Sequence, residues 1–312
     1  MPAERKPLYH FWTPTYWPVW FGFALLRIVC LLPNAPALAI GRMIGRLAHR
    51  IGSKRRAIVR RNLELCFPDL PTEKRNALAR RHFEALGMSL IETGLARWAK
   101  DDRLTSITSI DGFEHLQAAL DMGNGVILLG AHFTTLEISG RVMRLKCPPF
   151  DAVYRRNRSE FITELLRTGR ERSADTTIEK REIKTMVRSL RNGRIVWYAP
   201  DQSYRGKGAQ VVRFFGVPTM HTTATSTLAR LGKAVVLPYF SRRSDDGRYE
   251  ITILPALPDF PSDDPVADTE KYVEALEAFI RTCPEQYYWI HRKFKDLPEN
   301  YPDYYAELDA LK

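Results

Sequence analysis

The sequence predicts an α/β fold, a mixed central sheet flanked by helices and preceded by an N-terminal membrane-anchor helix. Three observations carry this. Beyond Asp111-Gly112, short apolar runs alternate with stretches of helical periodicity. From Pro71 to Lys100, Leu78, His82, Ala85, Leu86, Ser89, Leu90 and Thr93 recur near period 3.6. Tyr16 to Leu32, YWPVWFGFALLRIVCLL, is apolar but for the single charge of Arg27 and is interrupted only by Pro18 and Gly22. At 312 residues, 45% apolar and 27% charged, the chain can bury a sizeable core. It divides into an anchor, residues 1–35, and a catalytic domain, residues 36–312, made of a helical lead-in, 36–110, and an α/β core, 111–312.

The anchor comes first. At about 1.5 Å per residue its run barely reaches the roughly 30 Å of a hydrocarbon core. Either it spans with Arg27 snorkelling, or it lies shallowly in the interface, and Trp12, Trp17 and Trp20 suit both. A buried helix of a soluble protein is a competing reading, and so is a cleaved signal peptide, since Ala35-Pro36-Ala37 loosely imitates a cleavage site. Against both stand Arg42, Arg46, Arg50, Lys54, Arg55, Arg56, Arg60 and Arg61, which follow the apolar run before any acidic residue does. Basic residues behind an apolar segment hold that side in the cytoplasm and bind anionic headgroups, at about 1 kcal/mol each. Arg42, Arg46 and Arg50 share one helix face, opposite Ile40, Met43, Ile44 and Leu47, the pattern of a basic amphipathic helix on lipid.

Charge and cysteine usage narrow the class. The formal net charge of +11 asks for an anionic partner: anionic lipid, an acidic carrier protein or nucleic acid. No zinc-finger, basic-zipper or RNA-recognition signature accompanies the arginines, so nucleic acid is not expected. Cys30, Cys66, Cys147 and Cys283 are scattered with no C-x-x-C pair, which fits a reducing compartment. Walker, H-E-x-x-H and G-x-S-x-G motifs are absent.

Thr72 is placed to cap the lead-in helix. In the core, Val126 to Leu129, Ala152 to Tyr154, Ile195 to Ala199, Ala234 to Phe240 and Tyr249 to Leu254 read as strands. Thr134 to Leu145, Ser159 to Arg172, Glu179 to Arg191, His221 to Leu231 and Asp268 to Thr282 read as helices. Tyr204-Arg205-Gly206-Lys207-Gly208 is a basic loop, either a phosphate contact or a solvated turn.

The chemistry concentrates in Val126-Ile-Leu-Leu-Gly-Ala-His132-Phe-Thr-Thr-Leu-Glu137, a strand that runs into a turn holding His132 with a helix behind it. On one continuous helix, residues five apart stand about 140° apart and cannot pair. A histidine in the turn can instead fold back on a glutamate in the first helical turn, and a carboxylate there fixes the imidazole tautomer and makes His132 a general base for a hydroxyl. Thr134-x-x-Glu137 is equally a capping box, in which Glu137 merely satisfies the helix start.

These residues stand within a wider ordered set: Arg61-Asn-Leu-Glu-Leu-Cys-Phe-Pro68, Gly87-Met-Ser-Leu-Ile-Glu-Thr-Gly94, His132-Phe-Thr-Thr-Leu-Glu137, Val153-Tyr-Arg155, Gly169-Arg170, Trp197-Tyr-Ala-Pro-Asp201 and Pro284-Glu-Gln-Tyr-Tyr-Trp-Ile-His-Arg-Lys-Phe-Lys295. In that set, over nearly the whole chain, it resembles the bacterial lipid A late acyltransferases. The resemblance implies a fold related to the glycerol-phosphate acyltransferases, an inner-membrane anchor with the catalytic domain at the cytoplasmic face, and a His132 and Glu137 dyad with Arg170 and Asp201 also needed. Arg156 departs from the family's pattern, where proline often follows Tyr-Arg, and Gln202-Ser203 replaces a variable pair after Pro-Asp.

The added positions also have a reading of their own. Twelve Lys or Arg stand against six Asp or Glu between Arg155 and Arg194, an excess of the kind that clamps phosphate or carboxylate, although Arg188, Arg191 and Arg194 read as a solvated surface. Arg155 follows a strand directly and faces a cleft at the sheet edge. Arg170 follows Gly169, which permits close approach. Asp201 after Pro200 orients a cation or substrate, with a buried ion pair to Arg170 or Arg155 as the alternative. His221 and His291 read as structural or interfacial, and Tyr287, Tyr288 and Trp289 as core.

The expected reaction is transfer of an acyl chain from acyl carrier protein to the hydroxyl of a hydroxyacyl chain on a phosphorylated glycolipid, Kdo2-lipid IVA. His132 and Glu137 are the catalytic pair, and Arg155, Arg170 and Asp201 bind substrate. No cofactor or metal is called for, acyl carrier protein thioester being the co-substrate. Membrane lipids are the remaining partner. A glycerol-phosphate or lysophospholipid acyltransferase and a non-enzymatic basic membrane-binding protein are the alternatives.

Overall fold

The computed structural model describes residues 6–155 and 159–310; Arg156 and residues 1–5 of the anchor lie outside these. After two short 3-10 turns the helical part comprises α1 (Trp17–Val29), α2 (Asn34–Ile51), α3 (Ser53–Cys66), α4 (Thr72–Trp98) and α5 (Asp101–Ser106). The α/β part follows as β1 (Thr108–Asp111), α6 (Phe113–Asp121), β2 (Gly125–Leu129), α7 (Leu136–Lys146), β3 (Phe150–Tyr154), α8 (Glu160–Arg170), β4 (Thr176–Glu179), α9 (Ile183–Arg191) and β5 (Ile195–Tyr198). It continues with β6 (Ala209–Phe214), β7 (Val217–Thr222), α10 (Ala224–Gly232), β8 (Ala234–Arg243), β9 (Tyr249–Ile253), α11 (Pro265–Thr282) and α12 (Ala306–Ala310).

Seven strands form one mixed sheet in the order β1-β9-β8-β2-β5-β3-β4. From β8 to β4 every neighbour is parallel; β9 is antiparallel to β8, and β1 is parallel to β9. This is the expected mixed sheet flanked by helices. The period of two is visible on central β2: Val126 and Leu128 enter one core, Ile127 and Leu129 the other. Both faces are covered, so the strand reads as an unbroken apolar run.

The five strands read from sequence are present. Four more were not legible: edge strands β1 and β4, each four residues long, and the separate antiparallel hairpin β6-β7. Strand pairing overrides the helical reading at two places. The helix expected from Glu179 starts at Ile183 because Thr176–Glu179 pairs with β3, and the one expected from His221 starts at Ala224 because Val217–Thr222 pairs with β6. Thr72 is the first helical residue of α4 rather than its cap, and its hydroxyl accepts from Arg75.

The N-terminal helix is shorter than the apolar run from Tyr16 to Leu32. α1 has 13 residues, and among the described residues no helix is long and apolar enough to cross a membrane. It ends near Cys30, where Arg103 donates to the carbonyls of Cys30 and Leu32, and it packs along α4. Leu26 abuts Gly94, the ring of Phe23 lies 4.6 Å from that of Trp98, and the Arg27 guanidinium sits over Trp98. Trp17, Phe21, Leu25 and Ile28 remain exposed.

α2 reverses the usual amphipathic arrangement. Its buried residues are Ala37, Leu38, Gly41 and Gly45, whereas Met43, Ile44, Leu47 and Ile51 face outward, Ile51 at 74% exposure. A Cβ on Gly87 of α4 would run into the backbone of Gly41 and Gly45, so glycine on both sides sets the close approach of the two helices. Arg46 and Arg42 reach over this seam to Glu84 of α4.

Candidate active site

Strand register assembles the site. β2 and β5 run parallel with Leu129 opposite Tyr198, and His132 and Asp201 each lie three residues beyond that pair. Gly130 N–H donates to the Tyr198 carbonyl, and the Gly130 carbonyl accepts from the Tyr272 hydroxyl at 2.7 Å. A Cβ at Gly130 would press on the Trp197 indole, so glycine lets the chain leave the sheet here. The segment after α11 closes the turn: Tyr288 N–H donates to the His132 carbonyl, and Thr134 N–H to the Gln286 carbonyl.

His132 and Asp201 are joined twice. The Asp201 carboxylate accepts from the His132 backbone N–H at 3.1 Å and from Nδ1 at 2.5 Å. The Tyr287 hydroxyl donates to the same carboxylate at 3.1 Å. Asp201 is 1% exposed and the His132 side chain 33%. Burial alone would push the Asp201 carboxyl up, but the His132 ring and N–H and the Lys293 charge hold it well below the ordinary carboxylate range. It stays an anion that accepts only, so Nδ1 is the donor of this hydrogen bond and Nε2 is the ring nitrogen left without the carboxylate.

Lys293 backs this arrangement and had no assigned role in the sequence reading. Its buried ammonium donates to the Asp201 carbonyl, lies 3.1 Å from His221 Nε2 and stands 4.5 Å from the Phe214 ring centre. Burial pushes it down to about 8, against the pull of Asp201. His221, pushed well down by burial and by Lys293, serves as its neutral acceptor. The only sequence signal was the position of Lys293 in the Pro284–Lys295 stretch.

The expected contact between His132 and Glu137 is not made; among the described residues no hydrogen bond joins them. Glu137, at the start of α7, holds Arg170 at the end of α8, Nε donating to both carboxylate oxygens at 3.0 and 3.1 Å and Nη2 to Oε1. A glutamate five residues into the segment is aimed by its helix, and that helix points it at α8. The capping box is also absent: Thr135 occupies the N-cap without a side-chain cap bond, and its hydroxyl is spent on Ser241. Nor does Asp201 pair with Arg155 or Arg170, as the alternative reading had it; His132 takes that place.

His132, Glu137, Arg155 and Arg170 line one cavity of about 900 Å3 at the carboxyl ends of the parallel strands. Asp201 stands behind His132, in a smaller recess lined with Asn62, Tyr287 and Lys293. His291, read as structural or interfacial, lines both. Tyr287 and Trp289 are core, as read. Arg194, read as solvated, pairs with buried Asp151 at 2.7 Å.

An imidazole oriented through Nδ1 by a buried anion, with its other nitrogen free and a roomy cleft before it, is arranged as a general base for a hydroxyl. All four cysteines are buried free thiols, and burial pushes each of them up, so none is an activated nucleophile. Comparison with known proteins adds the following. The sequence model of the bacterial lipid A biosynthesis acyltransferase family matches residues 5–296. The chain is 37% identical over 307 residues to the lipid A biosynthesis lauroyltransferase of Escherichia coli (strain K12), covering 98% of this chain and 99% of that one. It is 37% identical over 287 residues to the lipid A biosynthesis palmitoleoyltransferase of the same organism, covering 91% and 93%. To a lipid A biosynthesis acyltransferase of Haemophilus influenzae it is 34% identical over 306 residues, covering 96% and 97%.

Proposed function

The chain belongs to the bacterial lipid A biosynthesis acyltransferases and is an acyltransferase of lipid A biosynthesis, and from that premise we propose that it moves a fatty acyl chain from acyl carrier protein to a hydroxyacyl hydroxyl of Kdo2-lipid IVA. The observation that carries the mechanism is the hydrogen bond from His132 Nδ1 to buried Asp201, which leaves Nε2 as the base.

In this reading Nε2 takes the acceptor's hydroxyl proton as the oxygen attacks the thioester carbonyl. Asp201 stabilises the imidazolium, and backbone or arginine donors of the cleft stabilise the oxyanion. Collapse breaks the C–S bond, and the departing thiolate takes the proton back from His132, giving ester and thiol. Positioned general bases of this kind contribute roughly 10²- to 10⁴-fold. Glu137, expected as the direct partner of His132, acts one step back by holding Arg170 toward the cleft. The positive charge suits both an acidic carrier and an anionic glycolipid. The exposed apolar faces of α1 and α2, beside arginines, support seating at the cytoplasmic face of the inner membrane.

The test is a thin-layer assay of detergent-purified protein with acyl carrier protein thioesters and labelled Kdo-bearing tetra-acyl precursor, run beside His132→Ala and a glycerol-phosphate acceptor. Penta-acyl product from the wild type alone is the expected result. Acylation of glycerol phosphate instead overturns the acceptor, and full activity of His132→Ala overturns the base.

A further inference from the structure

The cavity that holds His132 has an excess of cations that the reaction step does not use. Its single lining carboxylate, Glu137, is engaged by Arg170, and lining Arg167 is engaged by Glu164 and Glu171. Arg155, Lys180, Arg181 and Arg205 also line it, and none makes an ion pair among the described residues.

Three of these four are brought together by the sheet. In the parallel pair β3 and β4, Tyr154 stands opposite Glu179, so Arg155 and Lys180 follow side by side where both strands end, and Lys180 N–H donates to the Tyr154 carbonyl at 2.9 Å. Arg181 is next in the chain. Lys180 Nζ lies 5.9 Å from the ring centre of Tyr204, which brings in the loop bearing Arg205 from the far side. Burial and the charges of Arg155 and Arg181 push the Lys180 ammonium down, against the weaker pull of Glu179, the sign of like charges crowded together. Glu182 turns its carboxylate back to the Glu179 backbone N–H, and among the described residues neither glutamate makes an ion pair with the group. Cations held at the carboxyl edge of parallel strands are the arrangement that receives a phosphate.

We propose that Arg155, Lys180 and Arg181, with Arg205 opposite, form the subsite for a phosphomonoester of the glycolipid acceptor, and so fix which end of that acceptor is presented to His132. The assignment rests on the acceptor being a phosphorylated glycolipid, as argued above. It is separate from the proton transfer, because the cluster does not contact His132 or Asp201.

The experiment compares wild type, Lys180→Met and Arg155→Gln on the doubly phosphorylated acceptor and on the same acceptor with one or the other phosphate removed. Charge-assisted hydrogen bonds of this kind correspond to roughly 10- to 100-fold in kcat/KM. Each variant is expected to lose that factor on the doubly phosphorylated acceptor and none on the acceptor that lacks the bound phosphate, with the melting temperature unchanged. Equal losses on all acceptors, or a rise in KM for the acyl carrier protein thioester alone, overturn the proposal; the latter assigns the cluster to the carrier. A direct titration with the diphosphorylated glucosamine disaccharide, followed by 31P NMR, reads the subsite without turnover. Shifts in wild type that Lys180→Met abolishes support it, and identical spectra for the two overturn it even if acyl transfer is seen. If binding is seen but no acceptor turns over, the acyl-transfer reading fails while the subsite stands.

Discussion

His132 Nδ1 and the carboxylate of Asp201 lie 2.5 Å apart although 69 residues separate them in the chain. Parallel register brings them together, the Tyr287 hydroxyl donates to the carboxylate from behind, and the Lys293 ammonium donates to the Asp201 backbone carbonyl. Asp201→Asn is expected to lower kcat by roughly 10²- to 10⁴-fold with KM for both substrates little changed, because an amide disturbs the tautomer that frees Nε2. Steady-state kinetics decides this: a loss confined to KM makes Asp201 a binding residue.

Glu137 and Arg170 act as one unit. Glu137→Gln and Arg170→Gln should each lower kcat/KM, and the double substitution should be no worse than the more damaging single one, with a coupling of about 1–3 kcal/mol. A double-mutant cycle on kcat/KM measures it. Additive losses would mean that each residue contacts substrate independently.

Acid stability reports on His82. Its Nδ1 faces the Glu285 carbonyl at 2.9 Å, its Nε2 is buried without a partner, and burial pushes it down to about 4. In the unfolded chain it takes its proton near 6.5. Between those values the unfolded state binds the extra proton, so stability falls as pH drops from 6.5 toward 4, by up to about 3 kcal/mol. Urea unfolding of wild type and His82→Gln at pH 7 and pH 4.5 should show a smaller acid loss in the variant. Parallel losses would assign the acid sensitivity to other groups.

The α2–α4 seam depends on its glycines. Gly87→Leu forces side-chain atoms into the backbone of Gly41 and Gly45 and should destabilise the protein by about 1–3 kcal/mol. Gly22→Ala, where a Cβ meets nothing within 4 Å, is the control. A denaturation midpoint unchanged by Gly87→Leu would show that α2 is not held through this contact.

Local periodicity already determined much of this protein. The alternation of apolar runs and helical stretches fixed the α/β class, five of the strands and the helices α4, α7, α8 and α11, because periods of two and 3.6 are properties of neighbouring residues. The turn that presents His132 was legible for the same reason, since a buried strand, a glycine and a helix start are adjacent in the chain. Edge strands β1 and β4 were not legible, because each carries a single apolar residue, Ile110 or Ile178, and so shows no apolar run, unlike four-residue β5 in the sheet's interior.

The tertiary structure alone decided how partners are matched. Glu137 was the carboxylate expected at His132, and α7 turns it toward Arg170, while Asp201, read as facing a cation or substrate, arrives beside His132 after β5 by strand register. The outward face of α2 was settled the same way: its arginines and large apolar residues are both plain in sequence, but only contact with Gly87 shows that its glycines, rather than its large side chains, face the protein. Each of these is a choice among long-range contacts made by packing and register, and no local pattern records it.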